Sequence, residues 1–350
     1  FENLLKFIPA NYSTYQLESS FNSLSELIDR TNPVNIIMGI SSFYDRIVID
    51  LNHNDDKENE VFLNATLPFE QFVFMNYLSY NNSLSLRSTS DSLSSRPHTR
   101  RFIERYFLAG EGVVTTVNGQ LAVRCSAGFS AIDNTTYKKY IITSARCLPE
   151  LNMPIYHAPW EQQLPLVEAQ LDYFGYVMFV QRSGVDVALI EKFNSSFKLT
   201  PMMRSSVNDV KQIIIDKFNN GGFEIPEGYN ICISGYETEI KCGLVTSSYV
   251  HAHIRSIRQG VRNDNYYKML RAEIRVSNQD IGGTVFSIEI PDDGPDEGIP
   301  ILVVHGIVTY GYGGIVTIQP LSGMTNFGPI SPMFTRLRFI DLGIFRQLQQ

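Results

Sequence analysis

A chain of 350 residues, 43% hydrophobic and 19% charged, carries enough apolar side chains for one large core or two smaller ones, and two domains are expected. Its net charge of -7 comes with no basic stripe, which excludes nucleic acid and an anionic membrane surface as expected partners. No apolar run approaches the roughly 18 residues of a membrane-spanning helix, so no membrane insertion is expected.

Along the chain, Leu17, Phe21, Leu24 and Ile28 recur at helical spacing on one face, and the Asn32-Pro33 step ends the predicted helix. Residues 34–38 and 46–51 read as two short strands around a turn at 41–45, and residues 53–60 as a polar loop. Residues 1–80 thus form an expected small α+β domain. Residues 81–108 form an expected linker, because residues 81–101 are rich in serine, poor in aromatics, and keep neither helical nor strand period. Within it, Arg100-Arg101 reads either as a dibasic cleavage signal or simply as two solvated arginines.

Residues 109–350 read as all-β. Asn118-Gly119 between runs 113–117 and 120–125 is a two-residue hairpin signal, and further β-rich runs lie at 140–143, 185–190, 230–234, 243–253, 284–290 and 301–310. Many short strands with glycine turns argue for a pair of barrels or a sandwich. Four cysteines fall as two local pairs, Cys125 with Cys147 and Cys232 with Cys242. Their spacing allows disulfide-closed loops, with other connectivities and free thiols as the alternatives. The sequence starts at Phe1, as a chain trimmed after a signal peptide would. Sequons at Asn11, Asn64, Asn81, Asn134 and Asn194 lean the same way, toward a secreted glycoprotein.

The segment Cys125-Ser126-Ala127-Gly128-Phe129, followed by Tyr140-Ile141-Ile142-Thr143-Ser144-Ala145-Arg146-Cys147, resembles the opening strands of the alpha-lytic protease and streptogrisin family, which has Thr-Ala-Gly-His-Cys at the latter's end. Cys232-Ile233-Ser234-Gly235 and Cys242-Gly243-Leu244-Val245-Thr246 look like that family's second disulfide hairpin. Asp186-Val187-Ala188-Leu189-Ile190 is similar to the strand bearing the catalytic aspartate, and Gln279-Asp280-Ile281-Gly282-Gly283 stands where the family has Gly-Asp-Ser-Gly-Gly. Gly306-Ile307-Val308-Thr309 resembles a wall of the specificity pocket, and Pro329-Ile330 the segment before a closing helix. The resemblance spans residues 109–350 and implies a chymotrypsin-like double β-barrel, a mainly β fold. The region before it is similar, by position and size, to the prodomain of such proteases, with a fused adaptor as the alternative. The resemblance implies that this region packs on the protease-like domain.

Amide hydrolysis on this fold needs a nucleophilic hydroxyl, a neutral imidazole to take its proton, and a buried carboxylate to orient the imidazole. By the resemblance those positions are Ile281, Arg146 and Asp186, so only the carboxylate is present. A guanidinium stays protonated and has no acceptor lone pair, and isoleucine has no heteroatom. Gln279 and Ile281 hold the oxyanion-hole positions, with glutamine in place of the usual glycine. Gly306 and Thr309 line the implied pocket. An Arg146 side chain replacing the imidazole is expected to pair with Asp186, the alternative being Arg146 turned to solvent and Asp186 held by backbone donors.

Other candidates carry less. His251 and His253 alternate along one β-run without a ligand partner and read as surface histidines. His305 precedes the pocket-like Gly306, and Ser277 precedes Ile281 by four residues without standing in for it. Asp292, Asp293, Asp296 and Glu297, interleaved with Gly294, Pro295 and Gly298, read as a solvated hairpin tip rather than a calcium site. No metal and no cofactor are expected. The leading expectation is a secreted, inactive protease homologue that keeps a peptide-binding cleft. Its rivals are a divergent active serine-type endopeptidase and a decoy or inhibitory module.

Overall fold

In the computed structural model, residues 10–78, 105–117, 120–148, 150–159, 171–205, 212–219, 225–256, 263–290, 299–326, 336–341 and 344 are described. Ser13 opens helix α1 (Thr14–Thr31) through a reciprocal capping box with Gln16, and Asn32 closes it in the left-handed conformation at φ 50°. The helix buries Leu17, Phe21, Leu24, Leu27 and Ile28, the face its spacing predicts. Strands β1 (Ile36–Ser41) and β2 (Arg46–Leu51) form an antiparallel hairpin, and β3 (Val73–Tyr77) joins β2 in parallel. Residues 53–60 are not a loop. A short 3-10 turn, His53–Asp55, leads into helix α2 (Asp56–Thr66), whose Asn59, Phe62 and Thr66 are buried. Polar residues dominate its first turns because that side faces water, while Phe62 joins α1 and Ile36, Met38, Ile47 and Ile49 in one core.

The remaining strands are β4 (Arg105–Ala109), β5 (Gly112–Val117), β6 (Gln120–Ser126), β7 (Ser130–Asp133), β8 (Lys139–Thr143), β9 (Pro154–Ala158), β10 (Asp172–Gln181), β11 (Ser183–Gly184) and β12 (Val187–Lys192). They continue with β13 (Phe197–Arg204), β14 (Gln212–Ile214), β15 (Lys217–Phe218), β16 (Asn230–Gly235), β17 (Glu239–Ile254), β18 (Asp264–Ala272), β19 (Thr284–Glu289), β20 (Ile301–Tyr312), β21 (Ile315–Pro320) and β22 (Leu337–Phe339), with helix α3 (Leu321–Asn326) before the last. The order β22-β7-β8-β12-β10-β9-β5-β6 makes one sheet. It wraps a core of Val113, Ile132, Ile141, Ile155, Phe174, Val177 and Ile190. A second set of strands, β16 to β21, closes into a ring, since β16 pairs with β17 and β19, β18 with β17 and β21, and β20 with β19 and β21. Closure removes free edges and buries Ile231, Ile233, Val245, Leu270, Val285, Val308 and Ile318 inside. Phe129, Ile142, Leu189, Phe286, Val304 and Ile307 share a further core that joins the two barrels.

β5 and β6 pair as the hairpin signal implies, although Asn118 and Gly119 themselves lie outside the described residues. So do Asn81, the Arg100-Arg101 pair, most of the expected linker, the acidic cluster at 292–297, and Pro329-Ile330.

The long strand β17 positions the N-terminal unit. Its register against β18 shifts three times between Val245 and Ala252, and such irregularities bend a strand. Beyond them β17 pairs with β1, Ile36 opposite His253 and Met38 opposite His251, so β1 to β3 extend the sheet of the second barrel. The junction carries a buried ion pair, Arg271 Nε to Asp50 Oδ2 at 2.5 Å and Nη2 to Oδ1 at 2.9 Å. Ser247 Oγ also donates to the Ile40 carbonyl at 2.6 Å.

Candidate active site

Both cysteine pairs are disulfides, Cys125–Cys147 with Cα atoms 5.8 Å apart and Cys232–Cys242 with Cα atoms 3.9 Å apart. The first ties the end of β6 to the 3-10 turn Ala145–Cys147, which carries Arg146. The second crosses the β16–β17 hairpin between directly opposed residues.

Ser144 caps that turn, accepting from the Arg146 N–H at 3.1 Å, and its hydroxyl donates to Asp186 Oδ2 at 2.5 Å. Asp186 Oδ1 accepts from the same Arg146 N–H at 3.2 Å, and the Asp186 N–H donates to Gln319 Oε1 at 3.0 Å. Asp186 is fully buried, and burial pushes its carboxyl up to about 6. The Ser144 hydroxyl, the Arg146 charge and the Thr309 side chain pull the other way.

The Arg146 side chain does not pair with Asp186. Its Nη1 meets Asp264 Oδ2 at 3.2 Å, its Nη2 donates to the Arg255 carbonyl at 3.2 Å, and its Cζ lies 5.6 Å from the centre of the Tyr310 ring. Both ion-pair partners are nearly inaccessible, at 7% and 3% exposure. The physical reason is occupancy: Ser144 and a backbone N–H already satisfy Asp186, while Asp264 is a second buried carboxylate within reach of the guanidinium. Asp264 is 118 positions from Arg146, and no local pattern marks it.

Ile281 is half-buried against the first core, and its carbonyl accepts from the Ser126 N–H at 2.9 Å. The Gln279 N–H donates to Ser277 Oγ at 2.9 Å and the Gln279 carbonyl accepts from Ser126 Oγ at 2.8 Å, within a 3-10 turn over Asn278–Asp280 that Ser277 caps. Asp280, which sequence reasoning left without a role, is the latch of this loop. Its fully buried carboxylate accepts from the N–H groups of Ser277, Glu237 and Thr238 and from the Thr238 hydroxyl, all within 3.0 Å. The close packing explains the following glycine: Gly282 has φ +89°, and a Cβ there would sit 2.1 Å from Thr143 Oγ1.

Gly306 and Thr309 lie on β20 and are buried, and a Cβ at Gly306 would meet the Gln319 carbonyl at 2.2 Å. His305 is also buried, with its ring nitrogens 2.7 Å from Ser287 Oγ and 3.3 Å from the Asn219 amide, and burial pushes it down to about 4. His251 and His253 are not surface residues; they are 1% and 4% exposed, because helix α1 covers the face they share. Among the sequons, Asn11, Asn64 and Asn134 are exposed. The Asn194 amide is engaged within the fold, Nδ2 donating to the Tyr173 carbonyl at 2.7 Å and Oδ1 accepting from the Ser196 N–H and hydroxyl. Among the described residues no group of three or more potential metal ligands occurs.

No protein-family model and no curated protein matches the sequence. Among solved structures the chain is similar to Thermobifida fusca Protease A, at 16% identity and a TM-score of 0.46, over 67% of this chain and 99% of that one. It is likewise similar to Nocardiopsis Protease, at 17% identity and a TM-score of 0.46, over 67% and 99%. A third similar structure is alpha-lytic protease homolog N4, at 14% identity and a TM-score of 0.43, over 63% and 96%.

Proposed function

We propose that this chain is a secreted, catalytically inactive homologue of serine proteases that binds a peptide or protein without cutting it. The observation that carries the reading is the environment of Asp186. Its carboxylate is held by Ser144 and the Arg146 N–H, and no imidazole among the described residues contacts it. With arginine at the base position and isoleucine at the nucleophile position, neither proton transfer nor attack has a group to perform it. Loss of one active triad member costs a factor of about 10⁶ in turnover. What normally remains is oxyanion stabilisation, and the Gln279 N–H on which it would draw is already bonded to Ser277.

Secretion rests on the two disulfides, which persist in oxidising compartments. No described helix is long and apolar enough to cross a membrane. Glycosylation belongs to this reading at the exposed Asn11, Asn64 and Asn134. Residues 1–80 are the prodomain-like unit and residues 109–350 the protease-like domain, with the first held on the last through β1 and Asp50; the expected linker 81–108 is corrected at its end, because residues 105–108 belong to strand β4, which pairs with β13 and buries Phe107 and Leu108. The test is a serine-directed fluorophosphonate probe applied to the purified natural chain. No covalent adduct by intact mass is expected, and stoichiometric labelling would overturn the reading.

A further inference from the structure

The hairpin face beneath helix α1 is unusual in what it buries. Strand β17 contributes His251 and His253, and β18 contributes Asn265 and Tyr267. Asn265 Oδ1 faces His251 Nε2 and, at 3.3 Å, His253 Nδ1. The Asn265 amide nitrogen reaches Asp29 of α1 at 2.7 Å, and the Tyr267 hydroxyl donates to the same carboxylate at 3.1 Å. His253 Nε2 meets Asn32, the residue that caps α1, at 3.2 Å. Opposite both histidines β1 presents only Ile36 and Met38. The N-terminal unit is thus docked over two imidazoles.

These two are not equivalent. His253 lies at the C-terminal end of α1, where the helix dipole tolerates a cation. His251 is 1% exposed, and its Nδ1 has no hydrogen-bond partner. Since Nε2 faces the Asn265 oxygen, Nε2 carries the hydrogen and Nδ1 is the atom that would take a second proton. That proton would point into a buried space with no acceptor, beside His253. Among the described residues Asp29 is the one opposing charge, set at the exposed rim.

We propose that His251 is an acid-sensitive latch: proton uptake at its buried Nδ1 loosens the docking of the N-terminal unit on the β17–β18 hairpin. The inference is independent of whether the chain is catalytically active. Burial is the largest influence on His251 and pushes it down to about 4, against the pull of Asn265 and Asp29 and with the push of His253. An imidazole depressed in the docked state and ordinary in the released state favours docking fully above about pH 6.5, and that preference fades as pH falls toward 4.

Amide hydrogen exchange on the full-length chain tests this. The opening constant for the amides of residues 36–39, corrected for intrinsic exchange, should rise roughly 20-fold from pH 7 to pH 5. The amides of residues 301–308 in the closed barrel serve as reference and should not follow. His251→Phe keeps a ring in place and should abolish the pH dependence. Should that variant fail to fold, the imidazole titration of His251 in the natural chain, followed by NMR, replaces it, and a depressed midpoint is expected. An equal opening constant at both pH values, a variant that retains the dependence, barrel amides opening in step with 36–39, or an ordinary midpoint would each overturn the proposal.

Discussion

Removing the Asp264 carboxylate tests whether Arg146 has become part of the charge balance of the fold. In Asp264→Ala the guanidinium keeps the Arg255 carbonyl and the Tyr310 ring, and loses its ion-pair partner in a place where it is 7% exposed. Breaking a buried pair from one side costs about 3–5 kcal/mol, because the remaining charge is stranded away from water. The charge on Asp186 lies close enough to offset part of this, which places the expected loss near the lower value. Replacing both partners, as in Arg146→Met with Asp264→Leu, removes the stranded charge, and most of the loss should disappear. Urea unfolding at pH 7.5, followed by far-ultraviolet circular dichroism, gives each free energy and the coupling between the positions. A single-variant cost under about 1 kcal/mol, or a double variant no more stable than the worse single one, would refute the argument.

Asp186 should leave its mark on the pH dependence of stability. Its folded-state value is raised from 3.8 to about 6 by burial, so the stability it contributes is full below pH 3.8 and is lost as pH rises to 6, a change of about 3 kcal/mol. Asp186→Asn should flatten that part of the profile, and an unchanged slope between pH 4 and 6 would count against the assignment. Gly282→Ala should destabilise by about 3 kcal/mol, since it combines a left-handed φ with a Cβ pressed on Thr143 and the Ser126 carbonyl; a melting temperature equal to that of the natural chain would show the loop to be slack.

How much of this was legible in the sequence varies with the range over which each feature is determined. Helix α1 was legible because capping and apolar spacing are local, and the cysteine pairs because each joins positions close in sequence, 22 and 10 residues apart. Helix α2 was misread as a loop because its first turns face water and its buried residues, Asn59, Phe62 and Thr66, spread past the polar window. The alternation of His251 and His253 gave a shared face correctly, but not which face. That is decided by helix α1, more than 200 positions away, which lies over the sheet and turns a would-be surface into an interior. Arg146 and Asp264 show the same limit. A sequence marks the residue that has changed, while the partner that accommodates the change is supplied by topology.

This partnership bears on how the site is to be compared with an active one. Arg146→His would place an imidazole in the neighbourhood of Asp186, and would also remove the guanidinium that meets Asp264, itself 3% exposed. The Arg255 carbonyl, which accepts from Arg146, belongs to a residue whose own N–H donates to Asn35 Oδ1 and whose guanidinium contacts Glu58 in the N-terminal unit. The base position, the acid at 264 and the docked unit are therefore one connected network of charges and hydrogen bonds. In such a network single substitutions are not additive. A double substitution confined to these positions, Arg146→His with Ile281→Ser, would measure the strain of a broken network together with any chemistry gained. Pairing it with Asp264→Asn separates the two, because a neutral side chain at 264 no longer requires the guanidinium that the histidine displaces.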